Sequence, residues 1–347
     1  VKGEGTLRTG AEVTPDAVAA SLGRNDGGFG RAQDSYYGQP VLHRPHWRWE
    51  IITYFWLGGI MSASGGLSVI ADRYGGPGDK AFVRSGRYLA LAGAGVSGAL
   101  LVKDLGRPER FVNMLRILKF GSPMSVGSWT LAWFSANAGL AVADQLARDG
   151  LLPEGLAGLG ARVPAGLRDA MLAVSSAIMA FYTGVLISAT AIPAWYRGRW
   201  FIPAIFVSSA CATACSANAL VLSLAGNTAA ARHKLERLEC VAGAAELLLL
   251  FGYERASGSA GQAFFGGEIG KRVRTRTMLA GIALPLALNL PAWVARAGRD
   301  GAETRGKSIA AALLALYGGY VLRESFIKAG RVSADDPKPV LQARPSA

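Results

Sequence analysis

Apolar residues in this chain gather into blocks of about twenty, parted by short connectors that hold most of the charge. Eight blocks stand out, at 51–71, 87–102, 124–146, 167–191, 201–224, 238–253, 278–295 and 309–327. About 20 helical residues cross a ~30 Å hydrocarbon core. The pattern predicts an all-α, polytopic membrane protein with eight transmembrane helices. The second and sixth blocks are short and polar at their ends. Around the membrane domain, 47–330, lie a polar, glycine-rich N-terminal arm, 1–46, and a C-terminal tail, 331–347. No apolar run in the arm reads as a secretory signal, so targeting is expected to rest on the first membrane helix. The end of the arm, "SYYGQPVLHRPHWRWE", reads as an extended segment because of its two prolines. It lies on a partner or is disordered.

Composition agrees with this pattern. Of 347 residues, 51% are hydrophobic and 18% charged, against roughly 25% charged in soluble proteins. The formal charge of +13 sits in connectors, where cations meet lipid head groups. No basic domain outside the membrane blocks is large enough for nucleic acid. An even number of spans puts both termini on one side, together with cations such as Arg48, Lys103, Arg107, Arg323 and Arg331. The bias towards cytoplasmic termini is slight, and orientation stays open. Pro-Ala-Trp occurs at 193–195 and 291–293, each time followed closely by arginine. Both copies read as helix ends with interfacial tryptophans, Trp195 and Trp293.

Redox centres held by this chain are not expected. Its three cysteines, Cys211, Cys215 and Cys240, complete no iron–sulfur ligand set. Its three histidines, His43, His46 and His233, lie outside the blocks, so a haem between helices lacks its usual ligands. Any electrons must come from a partner.

The connector after the second block, 104–123, is unusually charged. In "DLGRPERF", Gly106 and Pro108 end the helix. Ser122 and Pro123 read as the N-cap and first residue of the third helix. Between them "ERFVNMLRILKF" has apolar Phe111, Met114, Leu115 and Leu118 on one side, with Arg110, Arg116 and Lys119 elsewhere on the wheel. This spacing predicts an amphipathic helix along the membrane interface. Asp104 either staples the turn by pairing with Arg107 or exchanges protons with a ligand at the cavity rim. By topology the same face receives His43, His46, Trp49 and Glu50 from the start of the first helix, and Tyr182 from the fourth.

The sixth block poses a separate question. "LECVAGAAELLLLFGY" places Glu239 and Glu246 seven apart on one helical face. An acidic residue at mid-membrane costs about 2.5–3.5 kcal/mol on insertion scales, so Glu246 needs a partner or a role. Asn218 and Asn289 are candidate partners. The glutamate either locks the bundle or belongs to a proton path.

Three stretches carry a resemblance: "YFWLGGIMSASGG", "DLGRPERFVNMLRILKFGSPMSVGSW" and "FYTGVLISATAIPAW". They resemble the NrfD/PsrC family, the membrane subunits of polysulfide reductase-type complexes. The resemblance implies two four-helix bundles and a haem-free, quinone-reactive subunit of the bacterial cytoplasmic (inner) membrane. It also implies a ferredoxin-like iron–sulfur partner and a catalytic subunit, molybdopterin-dependent in many relatives. The quinone would be menaquinone or ubiquinone, and the chain itself would not act on the primary substrate. Carried over by position, the quinone site is Asp104, His46 or its neighbours Trp49 and Glu50, and Tyr182, with Arg107 beside the aspartate. Some relatives are discussed as proton-translocating, for which Glu246, Glu239, Asn218 and Asn289 are the candidates here. Two other classes stay open: a secondary transporter or ion channel, and a purely structural anchor.

Overall fold

The computed structural model describes residue 42 and residues 45–106, 108–151, 163–226, 229–294 and 302–335. His43, Arg107, nearly all of the N-terminal arm and the tail from 336 onward lie outside the described residues. The rest is helical, with no strand among the described residues. Helix α1 spans Trp49–Tyr74, and a single 3₁₀ turn, Pro77–Asp79, leads into α2, Lys80–Leu105. Short α3, Pro108–Met114, precedes α4, Pro123–Arg148, and α5, Ala165–Ser188. After α6, Pro193–Arg197, come α7, Ile202–Ala225, and α8, Ala229–Phe265. The chain continues through α9, Gly267–Arg272, a π-helix at Val273–Ala283, α10, Leu284–Val294, and α11, Ala302–Asp335.

Each predicted block falls largely within a helix, and among the described residues five helices are long and apolar enough to cross a membrane. These are Trp49–Tyr74, Pro77–Leu105, Ala165–Ser188, Ile202–Ala225 and Arg305–Asp335. Helix α1 packs along α2 and α5, while α4 touches both α2 and α5. Helices α8, α10, α11 and the π-helix form a second neighbourhood. Helix α7 joins the two, packing on α1 and α5 on one side and on α8 and α11 on the other.

Local signals set several helix ends. Gly106 closes α2 with a left-handed φ of 69°, and its N–H donates to the Lys103 carbonyl at 3.1 Å. A side chain there would be strained. Ser122 caps α4 by accepting from the Ser125 N–H, and Pro123 fills the first helical position. The connector helix is shorter than its amphipathic pattern predicts. It stops at Met114, and the Ser125 hydroxyl holds the chain beyond it, accepting from the Lys119 N–H and donating to the Ile117 carbonyl.

Two features depart from the sequence reading. Trp195 is not interfacial: it is 1% exposed, its indole N–H donates to the Phe326 carbonyl at 3.0 Å, and it stacks on Trp47. Tyr196 and Trp200, 47% and 80% exposed, are the aromatics that face outward here. The second Pro-Ala-Trp lies within α10, with side chains outside the described set. The other departure is the 11-residue π-helix, a rare form that appears mostly as single-turn bulges. It crosses α11 where Gly281 meets Gly318, so closely that a Cβ on Gly318 would lie 2.3 Å from the Gly281 Cα. Small residues allow such close backbone approach within membranes. Gly318→Ala is therefore expected to force the two helices apart and lower the melting temperature of the detergent-solubilised protein by several degrees, an overpacking cost of about 1–3 kcal/mol. An unchanged melting temperature would show that this crossing is not tight.

Candidate functional site

Two polar constellations stand out, one where α1 begins and α2 ends, the other along α8. At the first, Glu50 sits in the opening turn of α1, a favourable place for a carboxylate. Its side chain is buried; one carboxylate oxygen lies 3.7 Å from Lys103 Nζ, and the other, Oε2, has no hydrogen-bond partner. Lys103 Nζ also stands 4.3 Å from the Trp49 ring centroid, a cation–π contact. Next to Lys103 on the last turn of α2, Asp104 is exposed and lies within electrostatic range of Glu50 and Arg48. Two carboxylates thus converge at the rim, one buried and one open. An unsatisfied buried oxygen costs about 1–3 kcal/mol or more, so Glu50 Oε2 is a position prepared for a partner.

One turn further along α1 than Glu50 is Tyr54, 3% exposed and near Tyr182. Sequence reasoning missed Tyr54, although its i, i+4 spacing from Glu50 puts it on the same face. The Tyr182 hydroxyl donates to the Pro123 carbonyl at 2.9 Å, which ties α5 to the end of the connector. Gly127 makes room for this ring: a Cβ there would lie 1.9 Å from the Tyr182 oxygen. Glu50, Asp104, Tyr54 and Tyr182 therefore follow one another around the beginning of α1. His46 is exposed and forms no hydrogen bond among the described residues, so nothing fixes it towards this cluster. Trp49, 51% exposed, faces outward with Lys103 over it. His43 and Arg107 lie outside the described residues, and with Arg107 the proposed staple to Asp104.

Gly127→Ala follows from this packing as a test of Tyr182. The added methyl would push the ring from its place and break its bond to Pro123, whereas Tyr182→Phe removes only the hydroxyl, worth about 1 kcal/mol. If ring position matters, Gly127→Ala is expected to reduce the activity of the assembled complex more than Tyr182→Phe. The reverse order would assign the effect to the hydroxyl.

The second constellation runs along α8 from the end opposite Asp104 towards the middle of the molecule. Glu236, 2% exposed, accepts from the Ser308 hydroxyl and pairs with Arg232 at 3.4 Å. Glu239 accepts from Asn289 at 3.3 Å and lies near Ser216, while its Oε1 is buried without a hydrogen-bond partner. Glu246, 3% exposed, lies near Ser209 and feels the charge of Arg323. Arg323 is itself 1% exposed; it donates to the Ser209 hydroxyl and, at 3.3 Å each, to the Gly319 and Phe206 carbonyls.

These contacts change the expected partners of Glu246. Asn289 serves Glu239 instead. Asn218 donates to the Ser64 hydroxyl at 2.9 Å and accepts from Ser85 at 2.7 Å, joining α7 to α1 and α2. The partner that the sequence reading overlooked is Arg323, counted there as a cation of the membrane face. Glu239 and Glu246 do line one small cavity, with Gly281, Pro285 and Gly319 on its other walls. Its volume of about 10 Å³ is close to the smallest space that holds one water molecule.

Fold and site together define an all-helical membrane protein with titratable groups at one helix end and in the protein interior. The sequence profile described as "Polysulphide reductase, NrfD" matches residues 41–332. The chain belongs to this family, whose members are membrane subunits of oxidoreductase complexes. A search of individually curated proteins finds no match. Among the described residues, no group of three or more His, Cys, Asp or Glu side chains is placed to hold a metal ion.

Proposed function

We propose that this chain is the quinone-reactive membrane subunit of a multi-subunit oxidoreductase in the bacterial cytoplasmic membrane. A ferredoxin-like iron–sulfur subunit would bring electrons, and a catalytic subunit, molybdopterin-dependent by family analogy, would act on the primary substrate. Family membership supports the class of protein. The observation that carries the quinone reading is the orphaned Glu50 Oε2 beside Asp104 and Tyr54. Eight spans in two four-helix bundles fit the neighbours of each helix, α1, α2, α4 and α5 in one and α7, α8, α10 and α11 in the other. The exposed Val112, Ile117 and Phe120 suit a connector lying on the membrane interface.

A bound menaquinone or ubiquinone would supply a two-electron, two-proton couple at this rim. Glu50 offers a buried oxygen free to hold a proton or a hydrogen bond next to that ligand. Asp104, open to water and close to Glu50, relays protons between the buried carboxyl and the aqueous side. Lys103 and Arg48 offset the two negative charges, and Tyr54 contributes a second hydroxyl within the apolar wall. The line Glu236, Glu239, Glu246 supports a second role in proton transfer, separate from the quinone rim.

The test is isolation of the intact assembly from native membranes in mild detergent. Subunits, iron, molybdenum or tungsten, and quinone are then measured. Iron-bearing subunits at fixed stoichiometry with bound quinone are expected. A metal-free homo-oligomer that still catalyses ion-coupled transport would overturn the reading.

A further inference from the structure

At the membrane end opposite Asp104, the helices carry a dense ionic cluster that neither the quinone rim nor the glutamate line uses. Arg87 of α2 is 1% exposed and reaches Asp72 at 2.6 Å and Asp144 at 3.2 Å. Arg148 binds the same two aspartates, at 3.2 and 2.9 Å. Arg168, also buried, lies 2.9 Å from Asp144 and 3.9 Å from Asp169, which faces Arg73 at 3.8 Å. Arg84 pairs with Asp149 at 3.0 Å. Five arginines thus meet four aspartates.

Lys80 adds a further cation. It is exposed and has no ion-pair partner among the described residues. The neighbouring Asp79 is taken by Lys234 at 2.7 Å. Among the described residues the cluster therefore carries two positive charges in excess, and it sits where helix ends meet lipid head groups. Burial of charge is tolerated when the charges are paired, so an anion from outside would complete the set.

The space for one is present. A cleft of about 740 Å³ opens beside the cluster; its polar side carries Lys80, Arg84 and Arg148 together with Asp72 and Asp149, so the cations outnumber the carboxylates there by one. Its other wall is apolar, built from Val221, Leu222 and Ala225 at the end of α7 and Val83 of α2. This volume falls in the range of ligand-sized clefts, roughly 300–1,000 Å³, and exceeds the needs of a simple inorganic anion. Lys80, Arg84, Val221 and Ala225 on its rim are all exposed. The cleft is thus open to the surrounding lipid.

We propose that this cleft binds an anionic phospholipid, its phosphate against Lys80, Arg84 and Arg148 and its acyl carbons along the α7 wall. The bound lipid would complete the ionic cluster that holds α1, α2, α4 and α5 together at this end. The proposal rests on the membrane embedding of the chain and is independent of the quinone reading.

The experiment uses the intact detergent-solubilised protein, stripped of lipid and titrated with phosphatidylglycerol, phosphatidylcholine or sn-glycerol 3-phosphate. Retention is read by native mass spectrometry, and stabilisation by thermal melting. Phosphatidylglycerol is expected to remain bound at about one per chain and to raise the melting temperature more than phosphatidylcholine does. Lys80→Gln, which breaks no ion pair among the described residues, should weaken its retention about fivefold, the usual effect of one basic residue at an anionic surface. Ala225→Trp should fill the apolar wall and abolish retention. Equal retention of the two lipids, or no change with Lys80→Gln, would overturn the proposal. Equal stabilisation by glycerol phosphate alone would overturn it too, by assigning the cleft to a free phosphate ester.

Discussion

Replacing Asp104 by asparagine is expected to lower quinone-linked turnover about 10²- to 10⁴-fold, the usual worth of a positioned acid–base group, while the complex still assembles. Asparagine keeps the size and polarity of aspartate and removes only its capacity to carry a proton. Asp104 is exposed and forms no hydrogen bond or ion pair among the described residues. Exposed positions free of such contacts usually tolerate substitution within about 0.5 kcal/mol, so loss of activity could not be ascribed to unfolding. Glu50→Gln makes the complementary test. It removes a buried carboxylate that faces Lys103 at 3.7 Å, so both stability and turnover should suffer. Reduction of a soluble acceptor by the partner subunits should stay normal in both variants, because that reaction does not pass through this rim. Full quinone turnover in Asp104→Asn would leave the connector with a docking role alone and favour a structural anchor.

How far the sequence foretold this arrangement depends on the range of each interaction. Helix positions were legible because blocks of about twenty apolar residues have few other uses. Their ends were less so. Helix α8 continues past its apolar block as far as a break at Gly258, because charged and polar residues continue a helix as readily as they leave one. At Gly258 φ is 53°, a left-handed break that glycine permits, and a second helical segment runs on to Phe265. Local caps were readable: Gly106 and Ser122–Pro123 both act as their side chains dictate. "VRTRT" gave no hint of a π-helix, since it reads as a basic connector. Trp195 misled for a different reason. Its local motif suits an interface, yet its burial comes from Trp47 and Phe326, residues distant in sequence. The same holds at the candidate sites. Asp104 and Glu50 were found from helix topology, whereas Tyr54 was hidden in an apolar run. Arg323 was placed at a membrane face because its partners Ser209 and Glu246 lie on other helices.

Glu246→Gln is expected to destabilise the protein by about 1–3 kcal/mol, the cost of leaving a buried polar partner unsatisfied, and Arg323→Gln by distinctly less. The asymmetry follows from what each variant leaves behind. Arginine stays protonated under all ordinary conditions, so Glu246→Gln leaves a fully buried cation without the negative charge nearby, although the two groups are not in direct ion-pair contact. Arg323→Gln leaves a carboxyl, which can take up a proton and become neutral. The double variant should regain much of the loss, because Ser209 and the Phe206 and Gly319 carbonyls can serve neutral amides. Thermal melting of the four proteins closes this cycle, and additive losses would refute coupling between the two residues. A folded double variant then separates the two readings of Glu246. Reconstituted into vesicles with its partners, it lacks the titratable group at the inner end of the Glu236–Glu239–Glu246 line while the quinone rim is intact. Normal quinone turnover without the proton gradient built by the parent complex would make that line a proton route. A gradient equal to the parent's would leave Glu246 as the counter-ion of Arg323, its cost in the membrane offset by the charge it neutralises.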